Sequence, residues 1–179
     1  MMFRVIFFIA MFSGFTSQSG AHENSKIHFS GDSISVIIFL SETCPICQQA
    51  TPAINDLYQK YSHRGVEFTG VFPNKGISNP ATITKFKKKY RLPVNMIYDP
   101  EGHWKNELKA TITPEIFIIH KMTHQVYYRG RIDNQYVALG KRRKIVTEFY
   151  ADDAIRALLE GTFPSLAYTE AIGCFIADE

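Results

Sequence analysis

Between Ser35 and Leu40 the chain reads Ser-Val-Ile-Ile-Phe-Leu, an apolar and β-branched run without alternation. Such a run suits a strand buried on both faces, as at the centre of an α/β sheet. It stops at Ser41-Glu42-Thr43-Cys44-Pro45-Ile46-Cys47, and the periodicity then changes. Ala50, Ile54, Leu57, Tyr58 and Tyr61 fall at three- and four-residue steps, the signature of an amphipathic helix. Pro52 lies inside that helix, where a kink is expected, and Arg64-Gly65 should end it. Val66 to Phe72 alternates as a second strand. Asn79-Pro80 has the form of an N-cap followed by a first-turn proline, and Ile83, Phe86 and Tyr90 continue a second helix.

Val94 to Tyr98 predicts a third strand, closed by Asp99-Pro100-Glu101-Gly102, and Trp104 to Ala110 a short helix. Thr113-Pro114 precedes a fourth strand, Glu115 to His120. A turn over Lys121 to His124 leads to an antiparallel fifth strand, Gln125 to Gly130. Phe149, Ile155, Leu158 and Leu159 mark a last helix over Glu148 to Glu160, stopped by Gly161 and Pro164. This order predicts an α/β fold with parallel strands first, an antiparallel hairpin at the edge, and helices on both faces of a mixed sheet.

Composition adds bounds rather than a function. The 179 residues suffice for one domain with a real core, and 45% hydrophobic with 21% charged residues is ordinary globular usage. A formal charge of +3 is too weak to point to a nucleic acid or an anionic membrane as partner. Residues 1–21 have the form of a secretory signal: Arg4, an apolar run from Val5 to Phe12, and Ser19-Gly20-Ala21 as the cleavage site, with a cut after Ser17 as the alternative. The apolar run is about half the ~20 residues of a membrane span. The expected layout is a signal at 1–21, a polar lead-in at 22–34, one domain at 35–161, and a tail at 162–179 that carries Cys174. The mature protein would work in the periplasm or outside the cell, where disulfides persist.

Cys44-Pro45-Ile46-Cys47 is the chemical centre of the sequence. It falls at the carboxyl end of a buried strand, the edge where open α/β sheets gather their reactive groups. A thiol at a helix start faces free backbone N–H groups and the positive end of the macrodipole, which favours its thiolate. Cys44 is therefore the candidate attacking sulfur, expected to be ionised and reachable. Cys47, one turn on, is the candidate resolving sulfur, with Cys44–Cys47 as the redox-active disulfide and no organic cofactor. A static structural disulfide and a metal site completed by a histidine are the competing readings of the pair. Glu42 is the nearest carboxylate, either an aid to proton transfer or a solvated loop residue.

From about Ser35 to Glu160 the chain resembles the thioredoxin-like superfamily, and within it the secreted redoxins allied to the alkyl hydroperoxide reductase group. The resemblance rests on the C-x-x-C at the strand-helix junction and on Thr113-Pro114 before a strand. It implies a three-layer sandwich, a cis proline at Pro114 packed against the dithiol, and backbone at Thr113 offered to a thiol substrate. The implied activity is exported thiol-disulfide oxidoreduction on protein thiols and disulfides. The chain departs from the pattern at Thr43, where thioredoxins carry Trp, at Pro45-Ile46 in place of Gly-Pro, and at Ile38 in place of a buried acid. A peroxidase of the same fold would carry P-x-x-x-T-x-x-C, but Ile37 and Ser41 stand at the Pro and Thr positions. A copper-binding relative would add a histidine, for which His120 and His124 are the candidates, but its cysteines are spaced C-x-x-x-C. Cys174, in Gly-Cys-Phe-Ile, is either a tucked-in free cysteine or a third redox partner. The basic runs at Lys85 to Arg91 and Lys141 to Lys144 read as solvated surface.

Overall fold

The computed structural model describes residues 31–177. The expected signal and most of the lead-in lie outside them. Five strands form the central sheet. They are β1 (Ile34–Phe39), β2 (Glu67–Phe72), β3 (Asn95–Tyr98), β5 (Glu115–His120) and β6 (Val126–Gly130), in the order β3-β2-β1-β5-β6. β1, β2 and β3 are parallel; β5 runs antiparallel to β1, and β6 antiparallel to β5. β1 is therefore the central strand and is buried along its whole length.

The two faces of β1 feed two cores. Ile34, Val36 and Ile38 pack with α1 (Pro45–Tyr61), α2 (Pro80–Tyr90) and α4 (Tyr150–Leu159), through Ile54, Phe86 and Ile155 among others. Ile37 and Phe39 face the other way, against Phe117, Leu108 of α3 (His103–Leu108) and Ile176 of the tail. This is the expected α/β sandwich with helices on both faces. Strand alternation sorts successive residues of one apolar run onto opposite cores.

Local chemistry sets the helix limits. Asn79 caps α2 by accepting from the N–H groups of Ala81 and Thr82, and Thr82 Oγ1 accepts from Asn79 N–H in return. α1 runs unbroken through Pro52. Proline leaves the carbonyl of Gln48 without its usual helical donor, and the Thr51 hydroxyl donates to that carbonyl instead at 2.8 Å. Among the described residues, no helix is long and apolar enough to cross a membrane.

Two short pairings had no counterpart in the sequence reading. β7 (Tyr136–Ala138) and β8 (Lys141–Arg142) make a surface ribbon. β4 (Ile112–Thr113) pairs with β9 (Cys174–Phe175), which brings the tail back to the domain.

Candidate functional site: three cysteines around Thr113

Cys44 is the N-cap of α1, in extended conformation (φ −77°, ψ 117°), with Pro45 at the first helical position. The proline has no N–H to leave unpaired there. Cys47 follows one turn later on the inner face, fully buried. Its sulfur accepts from Ser41 N–H at 3.4 Å. Burial pushes the Cys47 thiol up from 9.0 to about 12, with the Ser41 N–H and the Thr113 hydroxyl only partly offsetting it. Cys47 is thus a neutral thiol at any physiological pH.

The structure corrects the expected pairing. Cys44 is joined to Cys174, with a Cα–Cα distance of 6.1 Å, and Cys47 is the free cysteine. The reading of Cys174 as a free cysteine fails with it. The expectation of a reachable Cys44 fails too: the residue is 2% exposed. Spacing along a helix identified Cys47 as a near neighbour of Cys44. It carried no information about a segment arriving 130 residues later.

Thr113 stands among all three cysteines. Its peptide bond to Pro114 is cis, as the resemblance implied. Its carbonyl oxygen lies 3.4 Å from Cys44 Sγ. Its hydroxyl donates to the Cys174 carbonyl at 3.3 Å and also reaches Cys47. Its backbone is paired with Cys174 in the β4–β9 ladder. Thr113 is fully buried and Pro114 is buried beside it.

Two glycines let the tail come this close. A Cβ on Gly173 would lie 2.1 Å from the Thr113 carbonyl oxygen, and one on Gly130 (φ 135°) 2.0 Å from that of Thr169. Around Gly130 the tail is held by backbone bonds between Arg129 and both Ala167 and Thr169. Tyr128 Oη and Thr169 Oγ1 are 2.6 Å apart, and Arg131 N–H donates to Thr169 Oγ1 at 2.9 Å. Beyond Cys174, Ile176 is 5% exposed and completes the core on the second face.

One charged pair beside the site was not anticipated. Glu115, next to Pro114 and 2% exposed, accepts from Arg129 Nε and Nη2 at 3.0 and 2.6 Å. The Arg129 guanidinium lies over the Phe117 ring, with the tail's Tyr168 on it as well. The pair links β5, β6 and the tail. The signal available in the sequence was only an acid following the proline and an arginine on the next strand.

The remaining candidates fall elsewhere. Glu42 is half-buried, and its carboxylate accepts from the hydroxyls of Ser78 and Thr82, so it ties the loop before α1 to the start of α2. The Ser41 hydroxyl pairs with Thr43, at 3.1 Å. His120 is paired with Ile34 at the far end of β1, roughly 17 Å of strand away from the cysteine loop. His124 contacts Glu107. Neither histidine joins the cysteines, and no group of three His, Cys, Asp or Glu suited to a metal ion occurs among the described residues. The copper-site alternative loses its histidine. The basic runs lie on the surface, apart from a half-buried Lys87.

The model of the AhpC/TSA family matches residues 10–128. Peroxiredoxin Q, chloroplastic, from Gentiana triflora is 30% identical over 79 residues, which cover 44% of this chain and 34% of the relative. The match thus spans about a third of that relative's length. A crystal structure of an uncharacterized conserved protein from Geobacillus kaustophilus aligns with a TM-score of 0.74 and 24% identity, over 83% of this chain and 78% of that one. A solution structure of a thioredoxin-like protein in the oxidized form aligns with a TM-score of 0.55 and 17% identity, over 78% and 86%. These structural likenesses agree with the thioredoxin-like fold.

Proposed function

Because the chain belongs to the AhpC/TSA family, we propose that it is an exported thiol-disulfide oxidoreductase whose reactive sulfur is Cys44. The observation that carries this reading is the Cys44–Cys174 disulfide at the strand-helix junction, against Thr113 and the cis Pro114. Export is supported by the leader pattern in the sequence and by a disulfide of the kind that oxidising compartments preserve.

In the reduced chain, the Cys44 thiolate at the head of α1 attacks a substrate disulfide. One substrate sulfur leaves as a thiolate, and a mixed disulfide forms. A second cysteine of the chain then attacks Cys44 Sγ and releases the other substrate sulfur. The substrate gains two electrons and the chain ends oxidised. The reverse sequence oxidises a substrate dithiol. Cys174 is the partner that the described geometry favours for the oxidised chain. Cys47 is the buried thiol held in reserve beneath it.

The test is turnover of a protein disulfide by the reduced chain and of a dithiol peptide by the oxidised chain. Cys44→Ser should abolish both, by at least on the order of a thousandfold. Unchanged turnover in that variant would overturn the reading.

The likeness to Peroxiredoxin Q favours a second reading, a thiol peroxidase using the same Cys44. Ser41 would have to serve the peroxide, but its hydroxyl pairs with Thr43. Peroxide consumption that depends on Cys44 and outpaces disulfide exchange would establish this second activity in place of the first.

A further inference from the structure

The tail approaches Cys44 in the way an extended polypeptide would. It brings a cysteine sulfur into covalent bond with Cys44 and runs antiparallel to the two residues before Pro114, with Ile112 opposite Phe175 and Thr113 opposite Cys174. The ladder is extended by Ile176 N–H donating to the Thr111 carbonyl at 2.9 Å. Backbone pairing of this kind fixes register without reading side chains, and flanking pockets then read alternate residues.

The flanking positions are unequal. Two residues before the cysteine, Ile172 packs on the main core and shares a small hollow with Ile46, Pro114 and Tyr136. One residue before it, Gly173 has no room for a Cβ. One residue after it, Phe175 is 77% exposed and unread. Two residues after it, Ile176 is buried among Leu108, Ala110 and Phe117.

We propose that segment 172–176 is a tethered likeness of the substrate, and that the site takes extended polypeptides carrying a cysteine in the pattern aliphatic, Gly, Cys, any residue, aliphatic. This rests on the oxidoreductase reading above and adds the substrate class to it. The exchange conserves disulfides. A substrate thiolate attacks Cys44 Sγ, the bond to Cys174 breaks, and Cys174 leaves as a thiolate that takes a proton from water. The substrate chain then occupies the groove that the tail has vacated.

The experiment uses the full chain carrying Cys47→Ser and Cys174→Ser, so that Cys44 is the only thiol. Cys44 is first converted to its mixed disulfide with thionitrobenzoate. Release of that chromophore then follows attack by reduced synthetic peptides corresponding to residues 170–177. The native peptide should react on the order of tenfold faster than its Ile176→Glu version, the factor expected when one aliphatic side chain loses its burial, and faster than its Gly173→Val version, whose added side chain meets the Thr113 carbonyl. A Phe175→Ser peptide should match the native one. Equal rates for all four peptides, with Cys44 still reactive, would overturn the substrate class and leave the oxidoreductase reading standing. Failure of Cys44 to take the label would overturn both.

A second measurement does not depend on the double variant. Gly173→Val in the otherwise native chain should shift the Cys44–Cys174 bond toward the reduced form at a fixed glutathione ratio, again by roughly tenfold, because the added side chain meets the Thr113 carbonyl. No shift would overturn the proposal.

Discussion

Cys47 and Cys174 are two partners for one sulfur, and they come to it by opposite routes. Cys47 shares a helix with Cys44 and is sealed by that helix, fully buried and protonated. Cys174 arrives on a tail, half-buried, held to the domain by a two-residue ladder, by backbone bonds at Arg129 and Thr111, by a few side-chain bonds and by the buried Ile176. The first partner cannot leave without unfolding α1. The second should leave once its disulfide is opened. The local pair thus supplies a fixed reserve, whereas the distant one supplies a removable cover. A change at 174 should therefore act on access, on resolution and on whole-chain stability, and a change at 47 on alkaline behaviour.

The largest expected effect is on stability. The Cys44–Cys174 bond spans a sequence separation of 130, and the chain-entropy argument assigns a loop of that size about 5 kcal/mol as a ceiling. Cys174→Ser, or reduction of the native chain, should lower the denaturation midpoint accordingly. Alkylation of Cys44 at neutral pH should become fast in the same sample. An unaltered midpoint with Cys44 still unlabelled would show that the tail stays seated without its bond, and the asymmetry between the two partners would vanish.

Next comes the fate of intermediates. With Cys47→Ser the oxidised chain retains its Cys44–Cys174 bond. With Cys174→Ser a mixed disulfide on Cys44 has only the buried Cys47 to resolve it. Substrate-bound chain should therefore accumulate in Cys174→Ser and not in Cys47→Ser, as read by non-reducing electrophoresis after an acid quench. The opposite distribution would make Cys47 the dominant resolving residue and restore the pairing expected from C-x-x-C spacing.

The contrast between the two cysteines also separates what sequence patterns convey from what they do not. β1, α1 and the capped start of α2 were legible because each carries its own signal: a six-residue apolar run, a 3.6 period, an Asn-Pro start. Cys44 and Cys47 were legible from a motif at a strand-helix junction, and Thr113 and Pro114 joined them through the resemblance to the thioredoxin-like superfamily. The partner of Cys44 was not. Disulfide connectivity is not contained in cysteine spacing, and a two-residue strand such as β9 has no periodicity to detect. Gly173 stood in plain view, but its meaning depends on a carbonyl 60 positions away. Glu115 and Arg129 likewise become a pair only when β5 and β6 are laid side by side.

A smaller effect should appear in alkaline solution. Below pH 9, Cys47 is protonated both folded and unfolded, and its contribution to stability is fully present. Between 9 and about 12 the unfolded thiol ionises while the folded one does not, so the unfolded state is favoured and stability falls as pH rises. Burial also holds the phenols of Tyr61 and Tyr128 above their usual range, so the alkaline slope is shared. The difference between the native chain and Cys47→Ala isolates the thiol. Stability curves of the two should converge as pH rises from 9 toward 12. Parallel curves would mean that Cys47 is not sealed, and that the two partners differ less than their burial implies.

The smallest effect bears on how the removable partner is held. Tyr128 has a single hydroxyl proton, and its oxygen lies 2.6 Å from both the Arg131 carbonyl and Thr169 Oγ1. The carbonyl can only accept, so Tyr128 donates to it and the Thr169 hydroxyl donates to Tyr128. Thr169 Oγ1 still accepts from Arg131 N–H, which leaves both hydroxyls fully used. Tyr128→Phe keeps the buried ring and removes two bonds at once, one of them the tail's own. The cost should be about 1 to 2 kcal/mol, carried mainly by the docking of residues 166–171 rather than by the sheet. Hydrogen exchange should therefore rise at the amides of Thr169 and Arg131 and stay unchanged in β1. Reduction of the Cys44–Cys174 bond by glutathione should quicken by roughly five- to thirtyfold. Faster exchange throughout β1 would instead mean that the tail and the sheet open together, and that Cys174 is as fixed a partner as Cys47.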